Sequence, residues 1–432
     1  MNIKWKKLTK PITTSLAILP LVIATNLSAA EDTVDQRIQK LEALIMELKA
    51  QVSEQKTTHE TQMKKKEEAA APEKPKHSYS FGGFIKATAS FNDYSDGDLG
   101  AASVLRDFYI PGGISASGAP GEQDFDFSAK ESRINFKSKH ELDNGETVST
   151  MIEMDFLFSS TGDERVSNSY NPRLRHAFFT YGKWLFGQTW TTFQDVGALP
   201  ESADFLGASE GIIFGRQPQV RYTNGPWQFS LENPETTVTP FGGGGRIVTD
   251  DNGIPDFVAR YNHKAKWGHI TVSALLRQLA YENGAIDDTE SSTGISVTGK
   301  FKVGDKDDIR FNFATGSGMG RYAALDTSNG AVLTAGGQLE AIDSTVGSVA
   351  YRHVWNSQWR SNFIYSAMDV DNDTALTGTG VTQSVSSFQA NLLFSPDPKV
   401  TLGVGYLDAT RELESGAEGD MSRLILTAKY AF

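Results

Sequence analysis

Arginine is the residue type best placed to do chemistry in this sequence. Arg133, Arg175, Arg216, Arg221, Arg260, Arg277 and Arg310, together with Lys300, recur in segments where polar and apolar residues alternate. A guanidinium stays charged at any working pH and offers paired donors to a carboxylate or phosphate, so a set of them points to anion recognition rather than proton transfer. Between Trp190 and Arg216 lies a stretch of about 25 residues, long enough to have a job of its own, that carries Glu201, Asp204 and Glu210. Other motifs carry less. Gly207-Ala208-Ser209-Glu210-Gly211 has the G-x-S-x-G form of a hydrolase elbow but falls in the middle of a polar stretch, not in the strand-turn-helix setting that elbow needs. Asp369, Asp371 and Asp373 begin like a calcium loop, yet Thr374 takes the place of the required glycine and no glutamate closes it. The glycine-rich stretches 242–245 and 316–320 lack a following Lys-Ser/Thr and helix. The histidines show no metal-ligand spacing, and His176 reads as a packed strand residue. No catalytic residue, metal or cofactor is expected.

Composition narrows the class. The chain has 432 residues, 40 of them Gly and 25 Phe, and no Cys, which removes disulfides, thiolate chemistry and cysteine-ligated metals. Beyond the N-terminus no run of 18 apolar residues occurs, so nothing there spans a bilayer as a helix. Barrel strands are only half apolar, so a polar mean hydropathy leaves a membrane barrel open. Residues 1–30 read as a secretory signal: Lys4, Lys6, Lys7 and Lys10, then a mostly apolar run, then Ser28-Ala29-Ala30. Removing those four lysines takes the formal net charge from −12 to −16, a poor balance for binding nucleic acid.

The elements that must position the arginines follow. Residues 31–56 repeat in heptads, with Ile38, Ile45 and Val52 at one seam position and Val34, Leu41 and Leu48 at the other, the pattern of a coiled-coil helix. Residues 57–78, rich in Lys, Glu, Ala and Pro, read as a flexible linker. From 79 to 432 the chain breaks into sixteen short alternating segments. Short turns such as Asp143-Asn144-Gly145, Gly182-Lys183 and Asn224-Gly225-Pro226 alternate with long polar loops, the connection pattern of an outer-membrane barrel. The expected fold is all-β: a sixteen-stranded antiparallel transmembrane β-barrel with an N-terminal α-helical coiled-coil segment. With the oily faces outward, the arginines, Gln188, Arg352 and Arg360 face the lumen against fewer acids, mainly Glu153, Asp155, Glu232 and Asp256. The loop at about 191–215 folds inward, and Glu201, Asp204 and Glu210 form an acidic side opposite the arginines, setting a field across the pore. The final Leu424, Leu426, Ala428, Tyr430 and Phe432 share one face, and aromatics near strand ends suit interfacial girdles.

The chain from 31 to 432 resembles the DcaP-type porins, within the general sixteen-stranded bacterial porins. The resemblance rests on Gly82-Gly83-Phe84-Ile85-Lys86, Glu153-Met154-Asp155-Phe156, Leu174-Arg175-His176-Ala177 and Phe186-Gly187-Gln188-Thr189-Trp190. Around the inward loop it rests on Leu199-Pro200-Glu201 and Phe214-Gly215-Arg216. It implies a homotrimer in the bacterial outer membrane, in contact with lipid and lipopolysaccharide, that takes up small anionic organic solutes, dicarboxylates above all. The seam residues themselves favour a two-stranded coil, whereas the resemblance implies three strands. Three rivals stand beside this reading: a phosphate- or oxyanion-selective porin, a barrel that anchors an interaction or surface-receptor module, and an outer-membrane hydrolase using Ser209.

Overall fold

The computed structural model describes residues 33–69, 76–100, 103–158, 164–165 and 167–432; the expected signal segment lies outside them. The chain divides into two compact units, residues 1–74 and 75–432. In the first, one helix spans Val34–Ala69. It does not stop at 56, where the sequence reading places a linker. The stretch from Thr57 to Ala69 loses the apolar period but keeps Glu, Lys, Gln and Met, which are strong helix formers without a partner surface. Along the helix Ile38, Leu41, Ile45, Leu48 and Val52 are all exposed in the single chain.

The second unit is a closed antiparallel barrel of sixteen strands. In chain order these are His77–Tyr94, the pair Gln123–Ser128 and Arg133–Glu141 that together make the second strand, Thr147–Asp155, Arg173–Tyr181, Trp184–Trp190, Arg216–Asn224, Trp227–Glu232, Asp256–Ala265, Gly268–Asn283, Ile286–Val303, Asp307–Ser317, Asp343–Val354, Trp359–Asp371, Thr382–Asp397, Val400–Leu413 and Glu418–Ala431. Each pairs with its sequence neighbour, and the first pairs with the last from Phe84↔Ala431 to Tyr94↔Met421, so no edge is left open. One of the two-residue hairpins turns on Gly182, whose φ of 54° suits glycine.

Every expected strand is present, and several run further than expected at the long-loop end. Ile286–Val303 opens on polar residues, and its Asp287 and Asp288 already pair with Glu282 and Tyr281. The oily period ends where lipid ends, while backbone hydrogen bonding continues into water, so alternation marks the span and not the strand. A second sheet escaped the sequence: Thr236–Thr239, Ile247–Thr249, Ala331–Leu333 and Leu339–Ala341 join two of the long loops.

Burial is inverted relative to a soluble protein. Phe81, Ile85, Phe136, Phe179, Leu231, Phe313, Tyr365 and Leu426 are exposed on the outer face, while Thr88, Asn92, Glu153, Ser273, Ser296, Asn362 and Arg423 are buried on the inner one. Exposed oily residues around a whole sheet are intelligible only if lipid covers them.

Candidate permeation site

The loop between Trp190 and Arg216 leaves the wall and crosses the lumen. Its backbone carbonyls are taken by the far side: Asn312 donates to Ala198 at 3.4 Å, Arg310 to Leu199, Asn391 to Glu201 at 3.0 Å and Lys86 to Asp204 at 3.2 Å. The apolar part of the loop, Leu206, Ala208 and Ile212, packs on Ala350 and Ile364, two of the inward positions that are not polar. At Gly211 the loop lies directly on the wall, where an added Cβ would collide with the Gly347 carbonyl oxygen. A second loop clips onto it: Phe214 N donates to Tyr322 O and Ala324 N to Ile212 O, both at 3.0 Å. The inward loop is thus a docked element, as its length and acids suggest.

Its acids do not form one face of an eyelet, and here the expectation needs correcting. Asp204 is buried and accepts from Arg423 at 3.3 Å and from Tyr109 N at 3.1 Å. Glu210 is fully buried and accepts from Ser387, and this burial pushes its carboxyl above the usual range. Glu201 alone keeps substantial exposure, 35%, with its Oε2 2.8 Å from Arg360 Nε and 3.6 Å from Arg352 Nε. A carboxylate carried into a low-dielectric interior needs partners, so these acids fasten the loop to the wall. A fourth acid does the same and was not singled out in the sequence. Asp195 meets His269 at 2.8 Å, Thr298 at 3.1 Å and Arg260 at 3.3 Å. Burial raises the Asp195 carboxyl, but Arg260 and His269 more than offset this and hold it below the usual range.

The arginines divide by what holds them. Arg175 is 1% exposed, clamped by Glu153 at 2.9 Å and Asp155 at 2.8 Å. Arg277 is pinned by Asp256 at 3.4 Å and by the carbonyls of Gly318 and Met319. Arg260 is tied to Asp195 and Gln194, and Arg310 to Asp308 and Leu199. Arg221 reaches Gln219 and the Trp190 carbonyl. Arg133 lies 3.4 Å from Glu153 and 5.0 Å from the Phe84 ring. Lys300 has no ion pair among the described residues.

Arg216 is not placed by strand parity. Gln217 and Gln219 are buried on the face that carries Arg221, while Pro218 and Val220 are exposed on the other. Arg216 and Arg221 are an odd number of residues apart and so point to opposite faces of a regular strand. Arg216 is the first residue of the strand, 4.8 Å from the Trp190 ring and 5.8 Å from that of Phe214, and Trp190 lies 5.2 Å from the buried His176 ring, so Arg216 stays with the interior cluster against parity. Gln188 likewise shares parity with Phe186 and donates to the carbonyls of Leu174 and Arg175. Those carbonyls are displaced by a bulge opposite Glu153 and Met154, which puts Arg175 and His176 side by side in the interior. His176 contacts Thr189 at 3.0 Å, a packed strand residue. Ser209, the elbow candidate, has no exposure and donates to the Tyr109 carbonyl at 3.2 Å.

Beside the loop a cavity of about 280 Å³ is lined by Phe84, Arg133, Glu201, Arg360 and Lys429, among others. Lys429 lies 5.2 Å from the Phe84 ring and makes no ion pair among the described residues. Arg423 and Lys429 were not singled out, although the signal was present. Once Leu424, Leu426 and Tyr430 face lipid, the odd-numbered residues between them must face inward.

Solved structures that share this fold include a channel, a porin and another outer membrane protein. The outer membrane channel DcaP of Acinetobacter baumannii superposes with a TM-score of 0.68 at 22% identity, covering 82% of this chain and 97% of that one. A trimer form of OmpT, an outer membrane protein of Vibrio cholerae, gives 0.50 at 12% identity over 82% and 99%. An anion-selective porin from Comamonas acidovorans gives 0.50 at 9% identity over 82% and 100%. No curated relative matches the sequence. The DcaP outer membrane protein family matches residues 49–432, nearly the whole chain. With that match, the closed barrel and its lipid-facing exterior, the chain belongs to the DcaP outer membrane protein family and is a channel of the outer membrane.

Proposed function

We propose that this channel passes small organic anions, dicarboxylates among them, by passive diffusion. The observation that carries this reading is the unequal pairing of lumen charge. Several acids of the inner wall are held in ion pairs, as in Glu153 and Asp155 with Arg175, Asp256 with Arg277 and Asp308 with Arg310 and Arg352. Lys300 and Lys429 keep no such partner among the described residues. Net positive charge in a narrow passage with low-dielectric walls concentrates anions and excludes cations. The single chain also leaves its heptad seam bare, and a trimer form is known for the OmpT fold neighbour. A homotrimer joined by a three-stranded periplasmic coil covers that seam.

Reversal potential under a KCl gradient tests the selectivity in planar bilayers holding the full chain. A shift towards the chloride potential is expected, and cation preference overturns the reading. Adding succinate or phosphate as a competitor to the chloride current then separates a dicarboxylate channel from an oxyanion one.

A further inference from the structure

We propose that Glu201 is a tethered competitor for the solute: its carboxylate occupies the Arg352–Arg360 pair, and a passing carboxylate crosses this point by displacing it. The inference rests on the anion reading above and adds a specificity-determining residue to it.

Four features of the geometry lead here. Glu201 is the most exposed of the loop's anchoring acids, at 35% against 5% or less for Asp195, Asp204 and Glu210. Its hold is thin. Both arginine contacts fall on the one oxygen Oε2, at 2.8 and 3.6 Å, and both come from Nε, while one Nη of Arg360 goes to Ser395 and one of Arg352 to Asp308. By contrast Arg173 holds Asp155 through two oxygens at 2.8 and 2.9 Å, the fork that makes such pairs strong. The backbone at Glu201 is fixed independently, since its carbonyl accepts from Asn391. The side chain can therefore swing away without undocking the loop. Finally, Glu201 and Arg360 line the cavity that also holds Arg133 and Lys429, so a displaced guanidinium site opens onto space already rich in cations.

A carboxylate on a short tether competes at an effective concentration in the millimolar range, and a partly exposed one-oxygen pair adds little of its own. Solutes at similar concentrations exchange with it. A site that binds its cargo only as well as its own side chain does captures without trapping, which is what conduction demands.

The test compares the full-length wild type with Glu201→Gln and Glu201→Asp in planar bilayers, reading reversal potential in KCl and the dwell time of succinate-induced current interruptions. Glu201→Gln should strengthen chloride preference and lengthen the succinate dwell several-fold, while Glu201→Asp, which keeps the charge, should stay close to wild type. Adding Arg360→Gln to Glu201→Gln should erase the gain. Unchanged or shorter dwell in Glu201→Gln overturns the proposal, as does higher conductance without longer dwell, which would mean only that the loop had loosened. A cation-selective wild type is a different failure, that of the anion reading itself.

Discussion

Arg423, on the last strand, donates to Asp204 of the inward loop at 3.3 Å, and the two side chains are 1% and 4% exposed. Arg423 also reaches Asn92 at 2.6 Å and the carbonyl of Leu105. One guanidinium therefore joins the barrel seam, the first long loop and the constriction. Arg423→Ala leaves Asp204 buried without its cation, a change that costs about 3–5 kcal/mol at such sites. The expected outcome is a lower temperature for the gel-mobility shift of the folded barrel and noisier single-channel current. A Glu substitution at Asn92 should not rescue it, because it adds a second acid.

Pinned and unpinned cations should behave differently. Arg175→Gln removes the clamp on Glu153 and Asp155 and should lower barrel stability. Lys300→Gln and Lys429→Gln should leave stability close to wild type and reduce anion preference. Thermal melting beside reversal potential separates the two kinds of residue, and a selectivity loss confined to Arg175→Gln would contradict the division.

The face assignment is open to chemical mapping because the chain has no cysteine. Single variants Arg221→Cys and Thr223→Cys, partly exposed on the inner face, should react with a charged, water-soluble thiol reagent applied to the channel and cut its conductance. Val220→Cys, on the outer face, should react only with a membrane-soluble reagent. Equal labelling at all three positions would mean that the strand is not in the register described.

Asp326 gives a pH dependence. It lies in the second loop, beside Arg246 at 2.8 Å, and burial pushes its carboxyl up to about 6. A carboxyl raised in the native state stabilises the folded loop when protonated. That contribution is complete below its ordinary value near 3.8 and is lost as pH rises through about 6. Hydrogen exchange of residues 318–330, corrected for intrinsic rates, should be slower at pH 5 than at pH 7.5. Asp326→Asn should abolish the difference.

The heptad seam gives the last test. Leu41→Asp combined with Leu48→Asp should reduce the trimer recovered by cross-linking while leaving single-channel conductance unchanged, since the helix and the barrel are separate units.

Much of the barrel was legible because lipid imposes a period of two that survives in single residues such as Phe179, Tyr181 and Trp184. Loop lengths then gave the polarity of the connections. The site was less legible for two physical reasons. Alternation fails at bulges, so the adjacent inward placement of Arg175 and His176 could not be read from it. The pairing of loop acids with wall cations, such as Asp195 with His269 across 74 residues, depends on where the loop lands, and no local pattern encodes that. The sheet built from two of the long loops was missed because its strands are three or four residues long, too short to show a period.

The seam between the first strand and the last has a consequence for biogenesis. The ring cannot shut until residues 418–431 have been made, although their partner strand lies more than three hundred residues earlier. Until then the nascent sheet carries two sticky margins and a coat of bare phenylalanines, with Phe81 waiting for Phe432, whose ring ends 5.8 Å away. Pairing across that separation makes closure the most non-local contact of the barrel, so the two open edges persist for as long as the last strand is missing.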